Sequence, residues 1–244
     1  MILPLVVIPT YQEAANIQEV TRRVRAALPE SHVLVVDDAS PDGTADLAAA
    51  VGEEIGGVDV LRRPAKAGLG SAYRDGFAWG LERHFDVLVE MDADLSHDPA
   101  ALPLLLDAIL DGADLVIGSR YVPGGSIPRW SWHRRALSRY GNRYASAVLG
   151  LGVTDTTSGY RAYRAEIIRK LDPATFQADG YGFQIETAYA VHEIGGEIHE
   201  VPIAFSDRAR GTSKMSMRIV VEALALVTWW GVRDRILHRG TPAG

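Results

Sequence analysis

The chain has 244 residues, enough for one α/β domain with a tail and ample for a buried core. Hydrophobic residues make up 47% and charged residues 23%, the profile of a globular protein rather than a disordered one. A formal net charge of −6 argues against a nucleic-acid partner. The absence of cysteine excludes disulfides, zinc–thiolate sites and cysteine nucleophiles, and it fits a cytoplasmic setting.

The first ten residues are apolar but carry no basic leader and no small-residue cleavage site. They read as a buried strand, Leu5–Ile8, rather than a signal peptide. Further short apolar runs at Val33–Val36, Val58–Leu61, Val87–Met91 and Leu115–Gly118 are of the same kind. Helical patterns fill the gaps, at Asn16–Leu28, Thr44–Val51, Ser71–Arg83 and Pro99–Leu110. Strands alternating with helices of this length predict βαβ units and a mostly parallel sheet. Past Tyr121 the texture changes. A Pro/Gly loop leads to Arg129, Arg134, Arg135, Arg139 and Arg143, and the pattern predicts a helix over Arg134–Leu149. A helix over Glu186–Ile194, a strand over Glu200–Phe205, a basic loop over Arg208–Lys214 and a final helix over Met217–His238 follow. No linker or repeat interrupts the chain, so 1–214 reads as one catalytic domain and 215–244 as a C-terminal helix and tail.

The richest stretch is Val87-Leu88-Val89-Glu90-Met91-Asp92-Ala93-Asp94-Leu95-Ser96-His97-Asp98-Pro99. An apolar strand runs into two carboxylates separated by one residue. Such a pair suits a hard divalent cation, Mg²⁺ or Mn²⁺, with positions left open for phosphate oxygens. An ion held this way neutralises a departing diphosphate, which suggests chemistry on a nucleotide-activated substrate. A solvated acidic turn is the plainer reading of a lone Asp-x-Asp. An EF-hand is excluded by spacing, since it needs glycine where His97 stands and glutamate where Pro103 stands. The glycine-rich run Lys66–Tyr73 lacks a Gly-Lys-Ser/Thr ending, and Tyr73 occupies the third glycine of a dinucleotide fingerprint.

In an open α/β sheet, ligands bind beyond the carboxyl ends of the strands. Pro9, Tyr11 and Glu13 follow the first predicted strand, Asp37 and Asp38 the second, Lys66 the third, and Asp92 and Asp94 the fourth. Each alone is an ordinary cap or solvated charge; their convergence on one edge is the stronger signal. In that order they match a Pro-Thr-Tyr-x-Glu opening, a Val-Val-Asp-Asp turn, a Lys/Gly-rich loop and Asp-Ala-Asp. Gly118-Ser119-Arg120-Tyr121, Arg134 and Arg208–Lys214 extend the match. From Pro9 to Lys214 the chain resembles the dolichyl- and polyprenyl-phosphate mannose synthases, inverting glycosyltransferases of family 2 with the GT-A, Rossmann-like fold.

The resemblance implies roles residue by residue. Pro9, Tyr11, Glu13 and Asp38 would hold base and ribose, with Asp37 in support. Lys66, Gly70, Ala93, Arg120 and Lys214 would lie along the nucleotide-sugar. Asp92 and Asp94 would bind metal and donor, with Ser96 beside the metal; some relatives carry glutamine there, so serine is the weaker ligand. Asp94, Arg134 and Arg208 would be the catalytic residues, and Arg120, Arg134 and Arg208 would meet the acceptor phosphate. Arginine's planar fork suits a lipid monophosphate. Such a phosphate, with a second pKa near 6, is already an anion at neutral pH. The expected reaction therefore needs no general base: mannose passes from GDP-mannose to a polyprenyl phosphate with inversion, and neither Asp155 nor Glu186 is expected to act as one. A polyprenyl-phosphate glucosyltransferase using UDP-glucose and a non-catalytic nucleotide-sugar-binding subunit are the alternatives.

Met217–His238 is apolar nearly all round, with Trp229 and Trp230 beside Arg233 and Arg235. No stretch reaches the roughly 20 apolar residues of a membrane span. Tryptophan beside arginine suits an interfacial anchor, and a core helix with a basic exit serves the pattern equally well. The expected setting is peripheral, on the cytoplasmic face of a membrane, by surface adsorption or through a membrane-embedded partner protein.

Overall fold

A computed structural model describes residues 2–206 and the helix Met217–His238, with side chains of that helix at 223–233. In chain order the elements are β1 (Pro4–Thr10), α1 (Ile17–Ala27), β2 (His32–Asp37), α2 (Thr44–Ile55), β3 (Val58–Arg62), α3 (Leu69–Glu82) and β4 (Val87–Glu90). They continue with α4 (Leu102–Leu110), β5 (Leu115–Ser119), α5 (Trp132–Leu149), β6 (Arg161–Arg164), α6 (Ala165–Leu171), α7 (Gly180–Glu193), β7 (Ile198–Pro202) and α8 (Met217–His238). Single 3₁₀ turns precede α4 and α7, at Pro99–Ala101 and Pro173–Thr175.

The strands form one seven-stranded sheet in the order β3-β2-β1-β4-β6-β5-β7. Pairings β1–β2, β1–β4, β2–β3 and β5–β7 are parallel, and β6 runs antiparallel to β4 and β5. The mostly parallel α/β expectation holds. Strands β1, β2 and β5 are buried and apolar on both faces because helices cover both. Leu5 and Val7 of β1 enter one core with Leu34, Val36 and Phe77, while Val6 and Ile8 enter the other with Val33, Val35 and Leu102. That split is the two-residue period of a strand. Helix α3 lies close on the sheet because it is small where it crosses. A Cβ at Gly76 would fall 2.5 Å from Val7 Cγ1, and one at Gly80 2.6 Å from Leu88 Cδ2.

Strand β6 and helix α6 are additions to the predicted elements. The Glu186–Ile194 helix starts earlier, at Gly180, and the Glu200–Phe205 strand is Ile198–Pro202 followed by bridges at Ala204 and Phe205. Arg161 explains how a polar strand lies in the sheet. Fully buried, it donates to the carbonyls of Thr156 and Ser158 at 2.7 Å and of Gln184 at 2.5 Å. The guanidinium replaces its lost water with backbone oxygens.

Helix α8 packs one face on α5 and α7. Ala223 and Val227 are buried, Trp230 stacks on Tyr189 with ring centroids 6.3 Å apart, and Thr228 Oγ1 lies 2.8 Å from the Tyr144 hydroxyl. Trp229 points away from that face and is 63% exposed.

Candidate active site

The carboxyl ends of β1, β2, β4 and β5 open onto a cleft of about 600 Å³. Its floor lies where β1 and β4 adjoin, the point at which strand order reverses. This is the ligand crevice of open α/β sheets.

On one side lie Pro9, Tyr11, Glu13, Asp38 and Lys66. The loop after β1 is pinned to the turn after β2: the amide of Gln12 donates to Ser40 Oγ and that of Glu13 to Thr44 Oγ1, both at 3.0 Å. Asp38 accepts the amides of Ala67 and Gly68 at 3.1 Å and pairs with Arg63 at 2.5 Å, which ties the glycine-rich loop to β2. Lys66 Nζ sits 3.8 Å above the Tyr11 ring, a cation–π contact.

Two expected binding residues stand one layer back. Asp37 is 2% exposed and takes Thr10 Oγ1 at 2.8 Å and the Ser40 amide and hydroxyl at 2.9 and 2.6 Å, so it braces the turn behind the cleft wall. Gly70 faces the start of α7, where a Cβ would fall 2.6 Å from the Ala178 carbonyl just ahead of the helix and 3.2 Å from Phe183 Cδ2 within it; Gly68 and Leu69 line the cleft instead. Gly70 is small for packing, not for ligand approach.

At the centre are Asp92, Ala93, Asp94 and Ser96. Leu95 adopts φ 61°, a left-handed conformation that costs a non-glycine residue about 1–3 kcal/mol. Across this turn the Ser96 amide donates to Asp94 Oδ1 at 3.0 Å, while Ser96 Oγ is buried with no partner among the described residues. Two carboxylates and an orphaned hydroxyl form a hard oxygen set that fits Mg²⁺ or Mn²⁺. No group of three or more His, Cys, Asp or Glu side chains that could hold a metal occurs among the described residues.

His97 forms the wall behind this centre. It stacks on Tyr160 at 4.9 Å, and its Nδ1 accepts the Asp92 amide at 3.4 Å. Burial pushes its pKa down to about 4, with Arg120 adding to the drop and Asp94 and Asp155 opposing it. The ring is neutral at pH 7. Beneath, Glu90 is fully buried; burial pushes it up to about 7 against the charge of Arg161 and the nearby Gln184 amide and Tyr163 hydroxyl.

The far side holds Arg120, Trp130, Arg134, Gly159, Tyr181 and Gln184. Arg120 does not present a free fork. Its amide and Nε donate to Asp155 Oδ2 at 3.0 and 2.7 Å, and Nη2 reaches Asp155 Oδ1 at 2.6 Å and Thr157 Oγ1 at 2.9 Å. Burial works against its charge and Asp155 outweighs burial, so it stays protonated. The phosphate-gripping role expected of Arg120 narrows to a fixed, paired cation on the cleft wall. Asp155 is held in that pair, and Glu186 accepts the Gln177 and Ala178 amides. Arg134 projects into the cleft with its guanidinium 3.9 Å above the Trp130 ring. The expected roles of Arg208 and Lys214 fall outside the described residues.

The model of glycosyl transferase family 2 matches residues 5–172, more than half of the chain. The chain belongs to that family. The matched segment spans β1 to α6 and therefore includes the Asp-Ala-Asp turn, Arg120 and Arg134, while Tyr181 and Gln184 of α7 lie beyond it. This glycosyltransferase is 52% identical over 231 residues to the undecaprenyl-phosphate mannosyltransferase of Micrococcus luteus, with 95% of each chain covered. It is 49% identical over 233 residues to the polyprenol monophosphomannose synthase of Mycolicibacterium smegmatis, covering 95% of this chain and 88% of that one. Glucosyl-3-phosphoglycerate synthase of Mycobacterium tuberculosis, solved with Mn²⁺, UDP-glucose and phosphoglyceric acid, superposes with a TM-score of 0.70 at 22% identity, over 99% of this chain and 81% of that one. A mannosyltransferase of Pyrobaculum calidifontis, solved with GDP-Man and Mn²⁺, gives 0.65 at 18% identity, over 95% and 64%. These two likenesses establish the GT-A fold.

Sequence reasoning placed Pro9, Tyr11, Glu13, Asp38, Lys66 and the Asp-Ala-Asp centre in one cleft, as observed, while Asp37 and Gly70 stand behind it. It passed over Trp130, Tyr181 and Gln184, which come from a loop and from the start of a helix predicted too short. The run Gly180-Tyr181-Gly182-Phe183-Gln184, aromatic and polar residues between glycines, was the available signal.

Proposed function

We propose that this glycosyltransferase moves mannose from GDP-mannose to a polyprenyl monophosphate, with inversion at the anomeric carbon. One observation carries the reading: Asp92 and Asp94 stand in a single cleft between a nucleoside-sized side bearing Tyr11, Asp38 and Lys66 and a cationic side bearing Arg134 and Arg120. That order suits a donor diphosphate in the middle and an anionic acceptor at the far end. The mannosyltransferase relatives support the sugar and the acceptor class.

In this reading Tyr11, Glu13 and Asp38 hold the nucleoside while Lys66 offsets diphosphate charge. Asp94, with Asp92 and Ser96, would hold Mg²⁺ or Mn²⁺, which supplies Lewis-acid stabilisation of the leaving diphosphate. Arg134, stiffened by Trp130, aligns the acceptor phosphate with the anomeric carbon, and Arg208 assists. Alignment and charge stabilisation suffice because the acceptor arrives as an anion. His97 is neutral and buried, in keeping with a reaction that transfers no proton to it.

No helix among the described residues is long and apolar enough to cross a membrane. We take the exposed Trp229 of α8 as the contact through which the protein adsorbs to the cytoplasmic face of a bilayer, alone or beside a membrane-embedded partner. The test is turnover by purified protein with short-chain polyprenyl phosphate, Mg²⁺ or Mn²⁺, and GDP-mannose competing against UDP-glucose. Polyprenyl phosphomannose as the dominant product supports the reading; a glucosylated product, or none, refutes it.

A further inference from the structure

Asp179 stands immediately ahead of α7, where an aspartate side chain ordinarily caps the helix that follows. It does not cap α7. Its Oδ1 instead accepts the Gly70 amide, at 2.5 Å, in the first turn of α3. Helix α3 has no side-chain cap of its own, because the residue ahead of it is Gly68, at φ 97°. Asp179 therefore supplies, from 109 positions away, the oxygen that α3 lacks. Two absent side chains make room for it. A Cβ on Gly68 would collide with Asp179 Oδ2, and one on Gly70 would fall 3.0 Å from Oδ1. A second link runs beside the first, where Arg74 Nη1 of α3 donates to the Ala178 carbonyl at 3.4 Å.

The glycine-rich loop is thus held between two carboxylates. Asp38, just past β2, accepts the amides of Ala67 and Gly68 at 3.1 Å, and Asp179 accepts that of Gly70. The same loop brings Lys66 onto the Tyr11 ring, with Gly68 and Leu69 in the cleft lining. Gly180 and Tyr181, directly after Asp179, line that cleft too, and the charges of Arg120 and Arg134 act on the Tyr181 hydroxyl. One carboxylate therefore joins the loop that carries Lys66 to the segment that lies by the arginines. Were Asp179 to cap α7 instead, that tie would be lost and the two could shift against each other. We propose that Asp179 is a positioning residue: by holding the glycine-rich loop to the start of α7, it fixes where Lys66 meets the donor diphosphate and so sets donor affinity. That role rests on the reading of the cleft as a nucleotide-sugar site.

The test is steady-state turnover of GDP-mannose and short-chain polyprenyl phosphate in Mn²⁺, with calorimetric titration of GDP. It compares wild type, Asp179→Ser, Asp179→Asn, Lys66→Ala and the Asp179→Ser/Lys66→Ala double variant. Serine can cap α7 but is too short to reach Gly70, so it breaks the link while sparing the helix. In Asp179→Ser the GDP-mannose KM and the GDP Kd should each rise about tenfold, the scale of a lost hydrogen bond to a charged group. The KM for polyprenyl phosphate should stay within about twofold of wild type. Asparagine keeps an oxygen for the Gly70 amide and should recover most of the loss. In the Lys66→Ala background the serine change should add less than about twofold, because both residues act through one contact with the donor. Unchanged donor affinity, an equal rise in both KM values, or the full cost in the absence of Lys66 overturns the proposal. If Asp179→Ser does not fold, Asp179→Glu decides: it keeps the charge but displaces the loop by one methylene, and an unchanged donor KM refutes the role. Should wild type turn over UDP-glucose instead of GDP-mannose, the proposed activity fails separately, and the same comparison is read with UDP and UDP-glucose.

Discussion

Asp94 is the residue on which donor chemistry turns in this account. Its carboxylate lies on the cleft floor, held by the Ser96 amide across the strained Leu95 turn. Asp94→Ala should lower transfer to near background, since a leaving diphosphate without its cation loses several kcal/mol of stabilisation. EDTA should do the same to wild type, and full activity in verified metal-free buffer would contradict the assignment. Arg134→Ala should reduce kcat/KM for the acceptor on the order of 10²-fold, with donor affinity changed much less. Equal losses on both substrates would place Arg134 elsewhere. Arg120→Ala should instead lower melting temperature, because it strands the buried Asp155 carboxylate.

Glu90 yields a pH test with a definite sign. Its pKa is about 7 in the fold against an ordinary 4.5, so between those values the folded state binds more protons than the unfolded state. Stability from this group therefore falls as pH rises from 4.5 to 7 and is level above. Glu90→Gln cannot ionise and escapes that loss. Its melting temperature relative to wild type should be higher at pH 8 than at pH 5, by the equivalent of about 1–3 kcal/mol. A difference independent of pH would show that Glu90 stays protonated throughout or stays charged throughout. At this scale the sequence carried the donor residues well, because each follows an apolar strand. It could not carry the Arg120–Asp155 pair, formed between residues 35 positions apart, or tell Gly68 from Gly70, which differ only in which way the loop turns.

At the scale of elements, the parallel half was legible because its strands are short apolar runs between helices. Strand β6 was not, since Arg161-Ala162-Tyr163-Arg164 has the look of a surface turn. Its place depends on carbonyls from Thr156, Ser158 and Gln184, which no local pattern announces. The last helix combines both readings its sequence allowed: Trp230 packs on Tyr189, and Trp229 faces outward. The two tryptophans should separate in experiment. Trp229→Ser should weaken sedimentation with anionic liposomes and activity on long, bilayer-embedded acceptors, leaving melting temperature and short-acceptor activity unchanged. Trp230→Ser should lower the melting temperature. Loss of stability in both variants with no change in liposome binding would contradict the interfacial role.

At the scale of the whole molecule, strand order reverses between β1 and β4, and the cleft lies along that edge, where the proposed nucleoside, diphosphate and acceptor sites follow one another. A protein of net charge −6 lines that edge with Lys66, Arg120 and Arg134, Arg120 being paired with Asp155. In the proposed reaction Arg134 is the cation that a lipid-phosphate acceptor calls for and a neutral acceptor does not. The most direct measurement is therefore single-enzyme turnover of GDP-mannose with polyprenyl phosphate against the matching free polyprenol, in Mn²⁺. The account predicts β-linked polyprenyl phosphomannose from the phosphate and no product from the alcohol. Equal mannosylation of the free alcohol, or transfer with retained configuration, would contradict it.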